Sequence, residues 1–170
     1  MQLSVLIQWL DATPGSVALR ESILVYPLVE TAHVLTLCLF LGMIVLLDLR
    51  LLGFGFQSVP VSEVAGRLLP IGLTGFVLMA ISGALLFYSG PVRAYGNIFF
   101  RIKMALIILT GINALVFHYT IYKRVASWDR DPIPPLRARL AGLFSLLLWS
   151  AVVICGRMQA YNWFEKTPGA

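Results

Sequence analysis

The chain has 170 residues, of which 59% are hydrophobic and only 12% charged, with a mean hydropathy of +0.85. A soluble domain carries about 25% charged residues, so a water-soluble fold is excluded and the chain reads as an integral membrane protein. The formal charge of +5 is then a topology signal, and no basic-aromatic tract accompanies it that would suggest nucleic acid.

Each membrane span needs roughly 20 apolar residues, so residues 1–170 suit a single domain of about four spans. Residues 2–10 (QLSVLIQWL) form a short apolar patch that Thr13-Pro14-Gly15 breaks. Residues 15–25 resume it but include Arg20 and Glu21. The segment 2–25 is too interrupted to span, which predicts helices lying at the interface with Trp9 and Tyr26 at headgroup level. It has no basic n-region, so no signal peptide is expected. The first span is expected over 27–52, opened by Pro27 and followed by Gly53 and Gly55. Ser62 is the expected cap of a second span over 63–89, with Glu63 in its first turn and a kink at Pro70. Residues 91–97 read as a tight connection. A third span covers 97–122, Asp131-Pro132-Ile133-Pro134-Pro135 forms a rigid turn, and a fourth span covers 136–160. The tail YNWFEKTPGA follows. The expected fold is all-α: an antiparallel four-helix transmembrane bundle with short interfacial N-terminal helices.

Orientation follows from loop charge. Lys123, Arg124, Arg130, Arg137 and Arg139 flank the connection between spans three and four, and Arg50 and Arg67 flank that between spans one and two. The positive-inside rule puts these loops in the cytoplasm and both termini outside, periplasmic for a bacterial inner membrane.

Ionisable residues inside apolar spans carry the chemical signal. His33 lies in span one and Lys103 in span three, each six residues beyond the start of its helix. At 1.5 Å per residue both lie roughly 9 Å below the outer helix ends. A charge at mid-membrane costs about 2.5–3.5 kcal/mol on insertion scales, so such residues need a partner or a task. A neutral His33 is a suitable axial ligand for haem iron, a deprotonated Lys103 can be the other, and Arg157 and Arg101 can hold propionates. The structural alternative is a polar network in which Lys103 pairs with Glu30 and His33 bonds a neighbouring helix. Asp48 is fifteen residues after His33, and His118 fifteen after Lys103. With Arg50 they define an inner layer, read either as a salt-bridge belt or as a proton entry path or ligand site. His33 and His118 differ by roughly 22 Å in depth, so one haem cannot bridge them.

Small residues, among them Gly72, Gly75 and Gly83 in span two and Gly142 and Gly156 in span four, permit close helix approach or room for a flat macrocycle. Asn113 is an expected interhelical hydrogen bond. Cys38 and Cys155 fit neither a CxxC motif nor covalent haem attachment. No nucleophile elbow, phosphate loop, HExxH or zinc spacing appears, which leaves hydrolase and kinase readings without support.

The stretches ALRESILVYPLVETAHVL, LLDLRLLG, KMALIILTGINALVFH, RVASWDRDPIPPLRARLAG and GRMQAY resemble an uncharacterised bacterial four-helix membrane family over nearly the whole chain. More distantly, the layout is similar to HemJ-type membrane protoporphyrinogen oxidases and CopD-type copper-resistance proteins. In the HemJ-type pattern an early histidine, followed by a glycine and an arginine, and a lysine opening the third span are taken to ligate haem b. His33, Gly42, Arg50 and Lys103 resemble these, whereas the Trp-containing stretch after that histidine is absent. The resemblance implies a haem b site at His33 and Lys103 and does not extend to the oxidase activity. The expected function is therefore electron transfer or redox chemistry with a quinone or porphyrin. The alternative is a non-catalytic accessory subunit of a larger membrane complex, or a homo-oligomer. Copper handling is disfavoured because the methionines form no MxxM or His-Met cluster. Whether the chain is an enzyme stays open.

Overall fold

The computed structural model describes residues 2–161. Most of the C-terminal tail, and with it the expected periplasmic C-terminus, lies outside the described residues. Within them are seven α-helices and no strand: α1 (Gln2–Asp11), α2 (Pro14–Glu21), α3 (Val25–Leu52), α4 (Val61–Ser89), α5 (Pro91–Gly96), α6 (Ile98–Val116) and α7 (Leu136–Met158). Helices α3, α4, α7 and the continuous Ile98–Ser127 rod begun by α6 are each long and apolar enough to cross a membrane. The chain is therefore an all-α membrane protein with four candidate spans.

The boundaries follow local chemistry. Helix α6 starts at Asn97, whose side chain accepts from the amides of Phe99 and Phe100 at 2.9 and 3.4 Å. Helix α3 stops at Gly53, left-handed at φ 81°, a conformation that glycine takes without a Cβ clash. Span three departs from a uniform helix. After Val116 it widens into a π-turn over Phe117–Ile121 and tightens into a 3-10 turn over Tyr122–Ser127. Residues 91–97, expected to be a plain connection, hold the short helix α5.

Helix α4 begins differently from the sequence expectation. It starts at Val61 after Pro60, so Ser62 is inside the helix rather than its cap. The capping acceptor comes from elsewhere in the chain: Asp129 Oδ1 accepts from the Ser62 amide at 2.7 Å, and Oδ2 from the Ser62 hydroxyl at 2.6 Å. The Asp129 carbonyl takes the Val61 amide at 2.9 Å. The carboxylate lies where the helix N-terminus concentrates positive potential.

Helix α3 is the hub, packed on α4 and on α7, with α6 packed on the far side of α7. Glycines let backbones approach. A Cβ at Gly75 would stand 3.1 Å from the Phe40 amide nitrogen, and one at Gly142 would stand 3.2 Å from the Asp48 carbonyl oxygen. Asn113 Nδ2 donates to the Ala141 carbonyl at 3.0 Å and ties α6 to α7 as expected. Helices α4 and α6 share no extended interface. They meet near α5, where Phe87 stacks on Phe100 with centroids 5.4 Å apart. The middle of the bundle is filled by Phe40, Met79, Trp149 and Val152, and the end away from α5 by Leu47, Leu51, Val61, Val64 and Trp128. Helices α1 and α2 lie across the α5 end. There Thr13 Oγ1 and the Tyr88 hydroxyl are 2.8 Å apart, Ser16 Oγ donates to the Tyr88 carbonyl, and Arg20 donates to the Ser89 carbonyl.

Candidate functional site

At the α5 end, His33 projects from α3 onto α4. Its Nδ1 lies 3.1 Å from the Met79 carbonyl oxygen and 3.1 Å from Ser82 Oγ. The carbonyl can only accept, and the Ser82 hydroxyl directs its own proton at the Leu78 or Met79 carbonyl. Nδ1 therefore carries the imidazole proton, and in the neutral ring Nε2 keeps its lone pair. The ring can lie this close to α4 because Gly83 has no side chain: a Cβ there would stand 3.1 Å from His33 Cε1.

Lys103, half-buried on α6, faces α7. Its Nζ donates to Gln159 Oε1 at 3.0 Å, and its stem passes Gly156. His33 and Lys103 lie toward the same end of the bundle, on α3 and α6. Glu30, the alternative partner for Lys103, is exposed, and no ion pair between them occurs among the described residues. Arg101 and Arg157 are exposed near the same end, with the Arg157 guanidinium 5.7 Å from the Tyr161 ring centroid.

The layer at the opposite end separates into three environments. Asp48 is 4% exposed and faces Ser145 of α7, while its Oδ2 has no hydrogen-bond partner. Arg50, fully buried, turns to the loops. Its guanidinium donates to the carbonyls of Val59 at 2.9 Å, Asp129 at 3.4 Å and Asp131 at 3.1 Å. His118 is exposed in the π-turn, stacked on Tyr122 with centroids 5.8 Å apart and edge-on to Tyr119.

Sequence reasoning missed Asp129, because a helix cap 67 residues from its helix leaves no local pattern. It also missed Gln159 as the partner of Lys103. A long amide one turn beyond the cysteine of α7 was the available signal, but only packing brings it to Lys103. Burial alone would raise the Asp129 carboxyl. The Ser62 hydroxyl and amide, then Arg50 and Arg130, outweigh it and hold the carboxyl below its ordinary value.

Residues 22–162 match the model of DUF6644, a family of unknown function. No curated protein and no solved structure matches the chain. The matched segment runs from Ser22, three residues before α3, into the tail beyond α7 and so takes in all four candidate spans, the His33–Lys103 layer and the Asp48–Arg50 layer. This chain is a member of the DUF6644 family.

Proposed function

We propose that the chain is a membrane-embedded b-type haem protein that passes electrons between a quinone or porphyrin and a membrane partner. The observation that carries this reading is the anchored imidazole. With Nδ1–H committed to the Met79 carbonyl and Ser82 Oγ, His33 offers Nε2 in the fixed tautomer and orientation that metal-binding histidines require. The donor set fits haem iron: an imidazole nitrogen first, and an amine from Lys103 second. Gly83 and Gly156 keep bulk away from the two side chains. Arg101 and Arg157 are the cations available for propionates. Helices α4 and α6 meet one turn from this layer, where Phe87 stacks on Phe100, and share no extended interface beyond it.

Haem held there supplies one-electron chemistry. The chain's own residues do the rest. Ser82 and the Met79 carbonyl orient His33. Gln159 Oε1 accepts a hydrogen bond from the Lys103 amine, which orients the nitrogen and leaves its lone pair for iron. The surrounding spans exclude water. We place the protein in a bacterial inner membrane with both termini periplasmic and the 123–139 segment cytoplasmic. The support is the cluster of Lys123, Arg124, Arg130, Arg137 and Arg139 on that side.

The test is an oxidised and reduced absorption spectrum of protein purified after expression with ample haem. We expect a Soret band that His33→Ala abolishes while the protein stays inserted, since span one remains hydrophobic enough without the imidazole. Lys103→Met should retain haem with an altered spin state. Wild-type protein without any Soret band under these conditions would overturn the reading.

A further inference from the structure

A groove of about 290 Å³ runs between α3 and α7, lined by Leu41, Val45, Asp48, Leu146, Trp149 and Val153 among others. From Leu41 to Asp48 it extends roughly 10 Å along α3. Its walls are apolar except for Ser150 and the Asp48 carboxyl, which stands at the end away from α5. That carboxyl is buried, and its Oδ2 has no hydrogen-bond partner. A buried oxygen left unpaired is costly in hydrocarbon, and the nearest cation in sequence, Arg50, gives its Nε and Nη2 to the loop carbonyls of Val59, Asp129 and Asp131, leaves Nη1 unpartnered and forms no ion pair with Asp48 among the described residues.

The chemistry of the rim narrows the occupant. An anionic head would meet the Asp48 carboxyl. A cationic head would sit toward an end of the bundle where Arg137 and Arg139 are exposed in the first turn of α7. A neutral head with a hydroxyl donor fits both constraints. The indole of Trp149, which lines the groove, is fixed by a T-shaped contact with Phe40, centroids 4.8 Å apart, and gives the groove a rigid aromatic neighbour for a ring. We propose that the α3–α7 groove binds a lipid-soluble hydroquinone, its phenolic hydroxyl donating to the Asp48 carboxyl and its apolar tail lying along the groove toward Leu41 and Ile154. Naming a hydroquinone as the electron-transfer partner rests on the haem reading, whereas the binding site stands on the groove and its carboxyl.

Calorimetric titration of the full chain in phosphatidylcholine nanodiscs with a short-chain hydroquinone tests this. Saturable one-to-one binding is expected. Asp48→Leu should weaken it at least about tenfold, the scale of a hydrogen bond to a charged or buried acceptor. Asp48→Asn, which keeps an acceptor oxygen, should hold affinity within about threefold. Val153→Trp, which narrows the groove without touching Asp48, should weaken binding as well. Circular dichroism of each variant confirms that the helices persist. A straight-chain alcohol of equal length should not compete. Equal competition by that alcohol would reduce the groove to a slot for any lipid chain and overturn the proposal. So would unchanged affinity in Asp48→Leu, or the absence of saturable binding. Calorimetry reads the groove and the absorption spectrum reads the haem site, so failure of one is distinct from failure of the other.

Discussion

Asp129 illustrates how one side chain can hold two distant parts of the chain. Its carboxylate caps α4 through Ser62, and its backbone carbonyl accepts from Val61 and from Arg50. Removing the carboxylate in Asp129→Ala should cost about 1 kcal/mol, the usual value of a helix cap. Because the folded carboxyl titrates below its unfolded value, its stabilisation is fully present above the unfolded pKa of about 4 and fades as pH falls through the folded value. Thermal unfolding followed by circular dichroism should therefore show stability declining below about pH 4, with a shallower decline in Asp129→Ala. Equal slopes in the two proteins would remove Asp129 from the acid response. Arg50, two residues from Asp48, has a different task. Its buried guanidinium collects carbonyls from both loops at this end, so a residue that reads as part of a charged belt serves instead to join backbone segments.

Among the elements, α3 is decisive because it touches both α4 and α7. Its approach to α4 depends on Gly75, where a Cβ would stand 3.1 Å from the Phe40 nitrogen and 3.3 Å from the Thr36 carbonyl oxygen. These are backbone atoms and cannot swing aside. Gly75→Ala should separate the helices and destabilise the protein by about 1–3 kcal/mol, as overpacking does elsewhere. Gly111→Ala, in α6 and facing open space, should be neutral or stabilising by up to about 1 kcal/mol. Unfolding in mixed micelles should rank Gly75→Ala below wild type and Gly111→Ala at or above it, and the reverse order would contradict this account of the α3–α4 contact. In span three, the widened turn at Phe117–Ile121 carries His118 out to an exposed position beside Tyr119 and Tyr122. A uniform helix through residue 122, as the hydropathy suggests, would have directed that side chain differently.

For the whole molecule, the packing order α4, α3, α7, α6 leaves the bundle open between its second and third spans. The proposed haem layer lies near the α5 end and the proposed hydroquinone groove toward the other, so the molecule would offer separate sites at different depths. The orientation we propose can be checked on the intact protein. A cysteine placed at Ser127, in the background Cys38→Ser and Cys155→Ser, should be labelled by an impermeant maleimide only after the membrane is opened. A cysteine at Ser22, near the α5 end, should be labelled in intact cells. The opposite pattern would invert the topology and put Asp48 near the periplasm.

The sequence alone determined that the chain has four segments long and apolar enough to cross a membrane as helices, because hydropathy and length are properties of contiguous residues. It also singled out His33, Lys103, Asp48 and Arg50, because an ionisable residue inside an apolar run stands out against its neighbours. Their partners were decided only by tertiary structure. The Met79 carbonyl and Ser82 that fix His33, the Gln159 that holds Lys103, the loop carbonyls that collect Arg50 and the Asp129 that caps α4 lie between 9 and 81 residues from the groups they meet. A hydrogen bond depends on where an atom lies in space, and for residues on different helices that is set by glycine contacts and side-chain packing rather than by sequence spacing. The groove beside Asp48 has the same origin: it is lined by residues of both α3 and α7, and no single segment encodes it.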